Sequence, residues 1–600
     1  MATKEKLRSE IEEKYKWDLT TIYKNEDDFK SDLAKAKKEI YKVTCYKDKF
    51  LKSAKDFLEY MTYDEKIDRL TSKLYYYAHL NYDSDTSSDK YKKMLNEVRD
   101  ICIKYSELSS FVVPDMLKAN YSLYEKFFEE ETELMKYKFE IECIYRYKTH
   151  TLSEKEEEIL SKFSSVFNVS EDTYDSLTNT DLIFPSITDE NGEKCEFNES
   201  NYSVFVKSED RRVRKDAFEI LLKTYSNFKT TIASTFAGNV EKDVALAKLK
   251  KYNSAIEASL YADNVDLSIY NNLIDCVNEN MNVMYKYYDL RKKVLKLDEL
   301  HLYDMYADLI KGKSKDYSFD EAKKLVIDSL SVLGDDYIKN LNRAFDERWI
   351  DVYHNKGKRT GAYSSGFYDT NPFLLLNFEG KLNDVSTLAH ELGHSMHTFY
   401  SCKNNPYCYS NYSIFVAEVA STVNELLLSK YLISTSKDKE EKLSIINHLL
   451  DLFKATIYRQ TMFAEFEKDM HEKREKGEIL TNSFLSDNYY ELVKKYFGPN
   501  VVVDDLIRYE WERIPHFYYN FYVYKYATSL SAACYIVNGI LSNKKDALES
   551  YLNFLKLGSS KYPTDELKIA GVDINSKEVI KSAIDEFDSL IDEFNKLYNS

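Results

Sequence analysis

The stretch Thr387-Leu388-Ala389-His390-Glu391-Leu392-Gly393-His394-Ser395-Met396-His397 holds three of the chain's ten histidines within eight residues. Its pattern is H-E-x-x-H. On a helix, His390 and His394 stand one turn apart and share a face, so both imidazoles can reach one metal ion. Glu391 is rotated off that face. It can approach a water in an open coordination position without being a ligand.

A bare five-residue match also arises by chance, as a helix with two satisfied histidines on a polar face. Its surroundings argue for more. Asn383-Asp384 is expected to supply an N-cap, and Val385, Leu388, Ala389, Leu392 and Met396 form an apolar stripe at helical spacing. A half-buried helix with two ligands, a base and an open position is the layout of a zinc peptidase. His397 does not complete the ligand set. It lies about 10 Å along the axis from His390, whereas zinc–nitrogen bonds are about 2 Å. It is left as a residue supporting the ligands, a substrate contact or a packing residue.

A third ligand is therefore sought downstream, in Ile414-Phe415-Val416-Ala417-Glu418-Val419-Ala420-Ser421-Thr422. Glu418 interrupts an apolar helical run, where an unpaired buried charge is too costly to persist. It is paired, hydrogen-bonded or bound to a metal. With the histidine pair upstream, the two-His-one-Glu pattern of catalytic zinc sites favours the last. Glu425, seven residues on, is the rival or an outer partner of a ligand.

The chain has 600 residues, more than one simple core accommodates, so two or more subdomains are expected. Only 14 glycines and 7 prolines occur, and this scarcity favours long helices with short connections. The fold class expected is mainly α. The formal charge of −17 argues against nucleic acid or an anionic membrane as partner. The N-terminus lacks an apolar leader region, and no run approaches a membrane span. The cysteines at 45, 102, 143, 195, 276, 402, 408 and 534 are scattered, the pattern of a reduced cytoplasmic protein.

Along the chain, residues 1–115 read as successive amphipathic helices, and Tyr75-Tyr76-Tyr77 as a packing cluster. Asn191-Gly192 between short β-prone runs reads as a hairpin. It marks an expected boundary between a helical region at 1–200 and the remainder, 201–600. A long helix should begin at Ser208-Glu209-Asp210-Arg211. The texture changes at Lys356–Phe367, which is glycine-rich for this chain. Pro372–Phe378 follows as a short buried strand. A small sheet just before the histidine helix would offer an edge to which a peptide adds as a further strand. In Arg513–Thr528, helical spacing would bring His516, Tyr519 and Tyr526 near one face, with Tyr522 or Val523 between. Phenols and an imidazole there could donate hydrogen bonds to a developing oxyanion. Aromatics at this spacing are otherwise core.

These stretches, with Gly357-Lys358-Arg359-Thr360-Gly361-Ala362-Tyr363 and Tyr252–Asp263, make the chain resemble the thimet-type zinc oligopeptidases, most closely the oligoendopeptidase F branch. The matching stretches cover most of 205–600. The resemblance implies a mostly helical, two-lobed body split by a deep channel with one zinc ion on its floor. It implies a lid-like region at 1–200 and a catalytic domain at 201–600. It also implies metalloendopeptidase action on extended oligopeptides, with folded proteins excluded from the channel. The residues implied are His390, His394 and Glu418 as ligands, Glu391 as general base, and His516, Tyr519 and Tyr526 as oxyanion donors with Tyr522 as an alternate. Gly361, Ala362, Tyr363, His397 and Tyr522 are the implied substrate contacts. Two rival readings stand beside this one, a zinc carboxypeptidase of related helical fold and a non-catalytic peptide-binding protein. Oligomeric state is not legible.

Overall fold

The computed structural model describes residues 5–310 and 315–600. The mainly α expectation holds. Long helices dominate, and the strands are two or three residues each. Helix starts follow capping chemistry. The side chains of Ser53, Ser88, Ser254, Ser318 and Thr481 each accept a backbone N–H from the first turn of the helix that follows. No described helix is long and apolar enough to cross a membrane. All eight cysteine thiols are free.

The chain forms two compact units, each gathered from three separate segments. Residues 1–151, 314–431 and 536–572 make the first; 152–313, 432–535 and 573–600 make the second.

In the first unit, helix Ala54–Ser84 buries Phe57, Ile67, Leu74 and Ala78 completely. Each large side chain so buried contributes about 1.5–3 kcal/mol. One cluster joins this helix to Trp17, Phe29, Val98, Phe373 and Leu375. The tyrosine triplet packs as expected: Tyr77 lies against Tyr23 and Phe29, Tyr75 stacks on His79, and Tyr76 on Phe367. The expected strand is Phe373–Leu375. It pairs in parallel with Ile350–Asp351 and antiparallel with Tyr363–Ser365, which is an edge strand.

Two helices follow, Leu382–Asn404 and Ile414–Thr435. The first starts earlier than its sequence suggests. Asn383 and Asp384 lie inside its first turn, and Asp384 acts from there, its carboxylate accepting the Lys381 and Glu379 N–H groups. Val385, Leu388, Ala389, Leu392 and Met396 are fully buried. Gly393 allows close approach of the second helix: a Cβ there would sit 2.6 Å from Ala420 O and Ser421 Cα. Asn424 then donates to Ala389 O at 3.0 Å.

In the second unit, the hairpin expected at Asn191-Gly192 is present, with Ile187–Thr188 antiparallel to Lys194–Cys195. The helix expected near Ser208 runs Arg211–Ser226, capped by Asp210. A π-helical turn, Lys454–Arg459, separates helices Lys439–Phe453 and Gln460–Glu475. Phe236, Phe466, Trp511 and Phe517 form an aromatic core around the last of these.

Candidate active site

His390 and His394 point their Nε2 atoms at one another at 3.2 Å. Glu418 Oε2 lies 3.3 Å from the first and 3.5 Å from the second. Among the described residues this is the one His/Cys/Asp/Glu group whose donor atoms converge as metal ligands do. The spacing suits a single bound ion. Ligands about 2.0–2.1 Å from a tetrahedral ion stand roughly 3.3–3.4 Å from each other. Two imidazole nitrogens and one carboxylate oxygen form the donor set of an open, three-ligand site.

Glu425 approaches His390 from the other side of the ring, with Oε2 3.2 Å from Nδ1. Its Oε1 accepts the Ser386 hydroxyl at 3.1 Å. A carboxylate on the outer nitrogen orients the ring and leaves Nε2 free to face inward. Burial would depress His390, but Glu418 and Glu425 outweigh it and push its pKa up to about 10. Burial likewise disfavours the Glu418 carboxylate, yet the two imidazoles hold it well below the usual range. The arrangement concentrates negative charge around two imidazoles, the electrostatics of a cation site.

Glu391 is 7% exposed, and its Oε2 has no hydrogen-bond partner. Burial raises its pKa, with His390 and His394 opposing. The edge strand lies directly against this turn, where the Ser364 and Ser395 hydroxyls meet at 2.8 Å. Tyr363 on that strand donates its hydroxyl to the buried Asp83 at 2.7 Å. Gly361 and Ala362 line a cleft with Asn383 and Thr387 of the histidine helix. Gly361 has φ +83°, a conformation that favours glycine, and Asn377 donates to its carbonyl. His397 stands apart. It is 1% exposed, stacked on Tyr412 at 3.7 Å and packed against Phe554.

The aromatic run belongs to the second unit, and its helical reading needs correction. Pro515–Tyr518 is a 3-10 turn, and the helix begins only at Tyr524. Between them Asn520 and Phe521 have φ of +39° and +53°. Left-handed non-glycine residues cost about 1–3 kcal/mol each. The rings still gather: His516 lies 5.8 Å from Tyr519, 6.4 Å from Tyr522 and 6.1 Å from Tyr526, and Tyr522 lies 5.3 Å from Tyr526. Tyr519 is the most open at 46% exposure. Burial lowers the His516 pKa and so favours the neutral ring.

The sequence profile described as Peptidase family M3 matches residues 204–586, and that described as Oligopeptidase F matches 116–184. Oligopeptidase PepF of Bacillus subtilis (strain 168) is 43% identical over 590 residues, covering 98% of this chain and 88% of that protein. The crystal structure of oligoendopeptidase-F from Enterococcus faecium superposes with a TM-score of 0.74 at 34% identity, covering 96% of this chain and 99% of that one. A crystal structure from Chlamydophila abortus gives 0.94 at 37% identity, covering 99% and 100%. A mainly helical chain with these similarities is a metalloendopeptidase. It belongs to peptidase family M3, as its motifs suggested.

Glu425 stands against the outer nitrogen of His390, one of the two places expected for it. Asp83 and Asn424 were missed, since neither spacing nor composition marks a polar residue whose partner is distant in sequence.

Proposed function

We propose that this chain cleaves short oligopeptides internally, using one zinc ion held by His390, His394 and Glu418. The observation that carries this reading is the convergence of two Nε2 atoms and one carboxylate oxygen within 3.5 Å of one another. Two nitrogens and an oxygen suit zinc. Relatives named oligopeptidase and oligoendopeptidase support the substrate class.

Zinc bound there supplies Lewis-acid activation of water and of the scissile carbonyl. Glu391, one residue from His390 and with a free buried oxygen, takes the proton from the attacking water. It then hands that proton to the leaving amine. Its raised pKa suits both tasks. His516, Tyr519 and Tyr526, with Tyr522 as the alternate, donate hydrogen bonds to the developing oxyanion. The edge strand and Gly361, Ala362 and Tyr363 receive the substrate backbone. His397, enclosed by Tyr412 and Phe554, supports the helix behind the ligands. In this reading residues 201–600 carry every catalytic group, and 1–200 form an accessory helical region. The free thiols suit a reducing compartment, and we place its work in the cytoplasm.

The test is a quenched fluorogenic peptide, amidated at its C-terminus, incubated with the purified protein. Internal cleavage that stops with a chelator and returns with zinc is expected. Protein loaded with one zinc per chain that leaves a panel of such peptides intact would overturn the reading.

A further inference from the structure

The Asn520–Phe521 turn is strained, and something must hold it. The Phe521 N–H donates to Glu467 Oε1 at 2.7 Å, deep in the second unit. Glu467 is fully buried on helix Gln460–Glu475, and its other oxygen has no partner. One turn on, His471 Nδ1 bonds the Glu467 carbonyl at 2.8 Å, and its Nε2 faces Asp243 at 3.4 Å. The Phe521 ring rests on His471 at 4.5 Å and on Tyr270 at 6.0 Å. The turn is gripped from a second direction. Ser259 donates its hydroxyl to Asn520 O at 2.8 Å, and Asp263 pairs with Lys525 at 2.7 Å. Both belong to the Tyr252–Asp263 stretch.

We infer that Glu467 is a positioning residue: by accepting the Phe521 N–H it keeps the Asn520–Phe521 turn left-handed and so sets where the His516, Tyr522 and Tyr526 rings stand. The geometry explains why a carboxyl group sits there at all. A left-handed Phe521 aims its N–H into the core, where an unmet donor is costly. Without an acceptor the turn relaxes toward ordinary φ, and Tyr522, the next residue, swings with it. Ser259 and Asp263 are secondary grips on the same turn. The catalytic consequence rests on the proposed role of the aromatic cluster as oxyanion donors.

The experiment compares zinc-loaded full-length Glu467→Ala, Glu467→Gln, Ser259→Ala, Tyr526→Phe and the Glu467→Ala/Tyr526→Phe double variant. Glu467→Ala should lower kcat by about 10–100-fold with KM within about twofold, since donors used only in the transition state are displaced. Glu467→Gln keeps an acceptor and should stay within about threefold of the parent. The double variant should fall no more than about threefold below Tyr526→Phe, because both changes act on one element. Ser259→Ala, a milder change on the outer side of the turn, should lose several-fold in kcat and serves where Glu467→Ala does not fold. Parental kcat in folded Glu467→Ala and Ser259→Ala, or multiplicative losses in the double variant, would overturn the inference. A crystal structure of Glu467→Ala or Ser259→Ala decides it independently of turnover. Phe521 should leave positive φ or Tyr522 should shift; an unchanged turn in both sinks the idea. Parental rates in Tyr526→Phe would instead move the role from Tyr526 to Tyr522 or leave it unassigned, and the crystal structure then judges the positioning.

Discussion

Gly393 and Ala420 touch backbone to backbone: a methyl group on Gly393 would stand 2.6 Å from the Ala420 carbonyl oxygen. The two helices that carry the proposed ligands are therefore in direct contact, with no side chain between them. Glu418, two residues before Ala420, reaches the histidines only because of this approach.

Gly393→Ala should push the helices apart, since the obstructing atoms are main chain and have little room to give. Overpacking of this kind costs about 1–3 kcal/mol. The variant should melt below the parent and bind less than one metal per chain. Calorimetry and metal analysis check this; a variant indistinguishable from the parent in both would show that the helices separate freely.

Glu425 is expected to tune the metal without touching it. Its carboxylate lies 3.2 Å from the outer nitrogen of His390. Removing such an outer partner typically costs 10–100-fold in affinity or activity. Glu425→Gln should therefore release metal to a competing chelator about 10–100-fold more readily. Equal affinity would mean that the ring needs no orienting partner.

Glu391→Gln should separate metal binding from turnover. The change keeps the shape of the side chain but removes the basic oxygen, and none of the three convergent donor atoms belongs to this residue. Metal content should stay at the parental level while kcat falls by about 10²–10⁴, the range lost with a general base. Hydrolysis at the parental rate would move the proton transfer to another group.

Much of this site is legible in one dimension because helical periodicity is local. The His390 and His394 pair and its apolar stripe follow from spacing alone, and Glu418 stands out as a charge in an apolar run. The aromatic run misleads for the same reason. Its periodicity reads as one helix from His516 to Tyr526. No glycine follows Pro515 to mark the left-handed turn at Asn520 and Phe521. That turn is imposed from outside by Glu467 and Ser259, residues 54 and 261 positions away in sequence. The interleaving of the two units is equally a product of long-range contacts. No composition shift announces where the chain leaves one core for the other.

Stability should fall as pH rises from about 4.5 to about 8, and Glu512 supplies one cause. Its side chain is fully buried in the second unit, with Asn482 donating to one oxygen and the other oxygen unpartnered. Burial pushes its pKa from the ordinary 4.5 up to about 8. Between those values the folded chain retains a proton that the unfolded chain releases, so folding stability declines as pH rises through this window. Above about 8 the full difference is lost, on the order of 3–5 kcal/mol at 1.36 kcal/mol per unit. Glu512→Gln carries no proton to lose, and its amide can still meet Asn482. It should melt close to the parent near pH 5 and distinctly above it at pH 8.5. Thermal melts of both proteins across that range decide the matter. Parallel curves for parent and variant would mean that Glu512 ionises as easily folded as unfolded, through water reaching a carboxylate that the packing encloses.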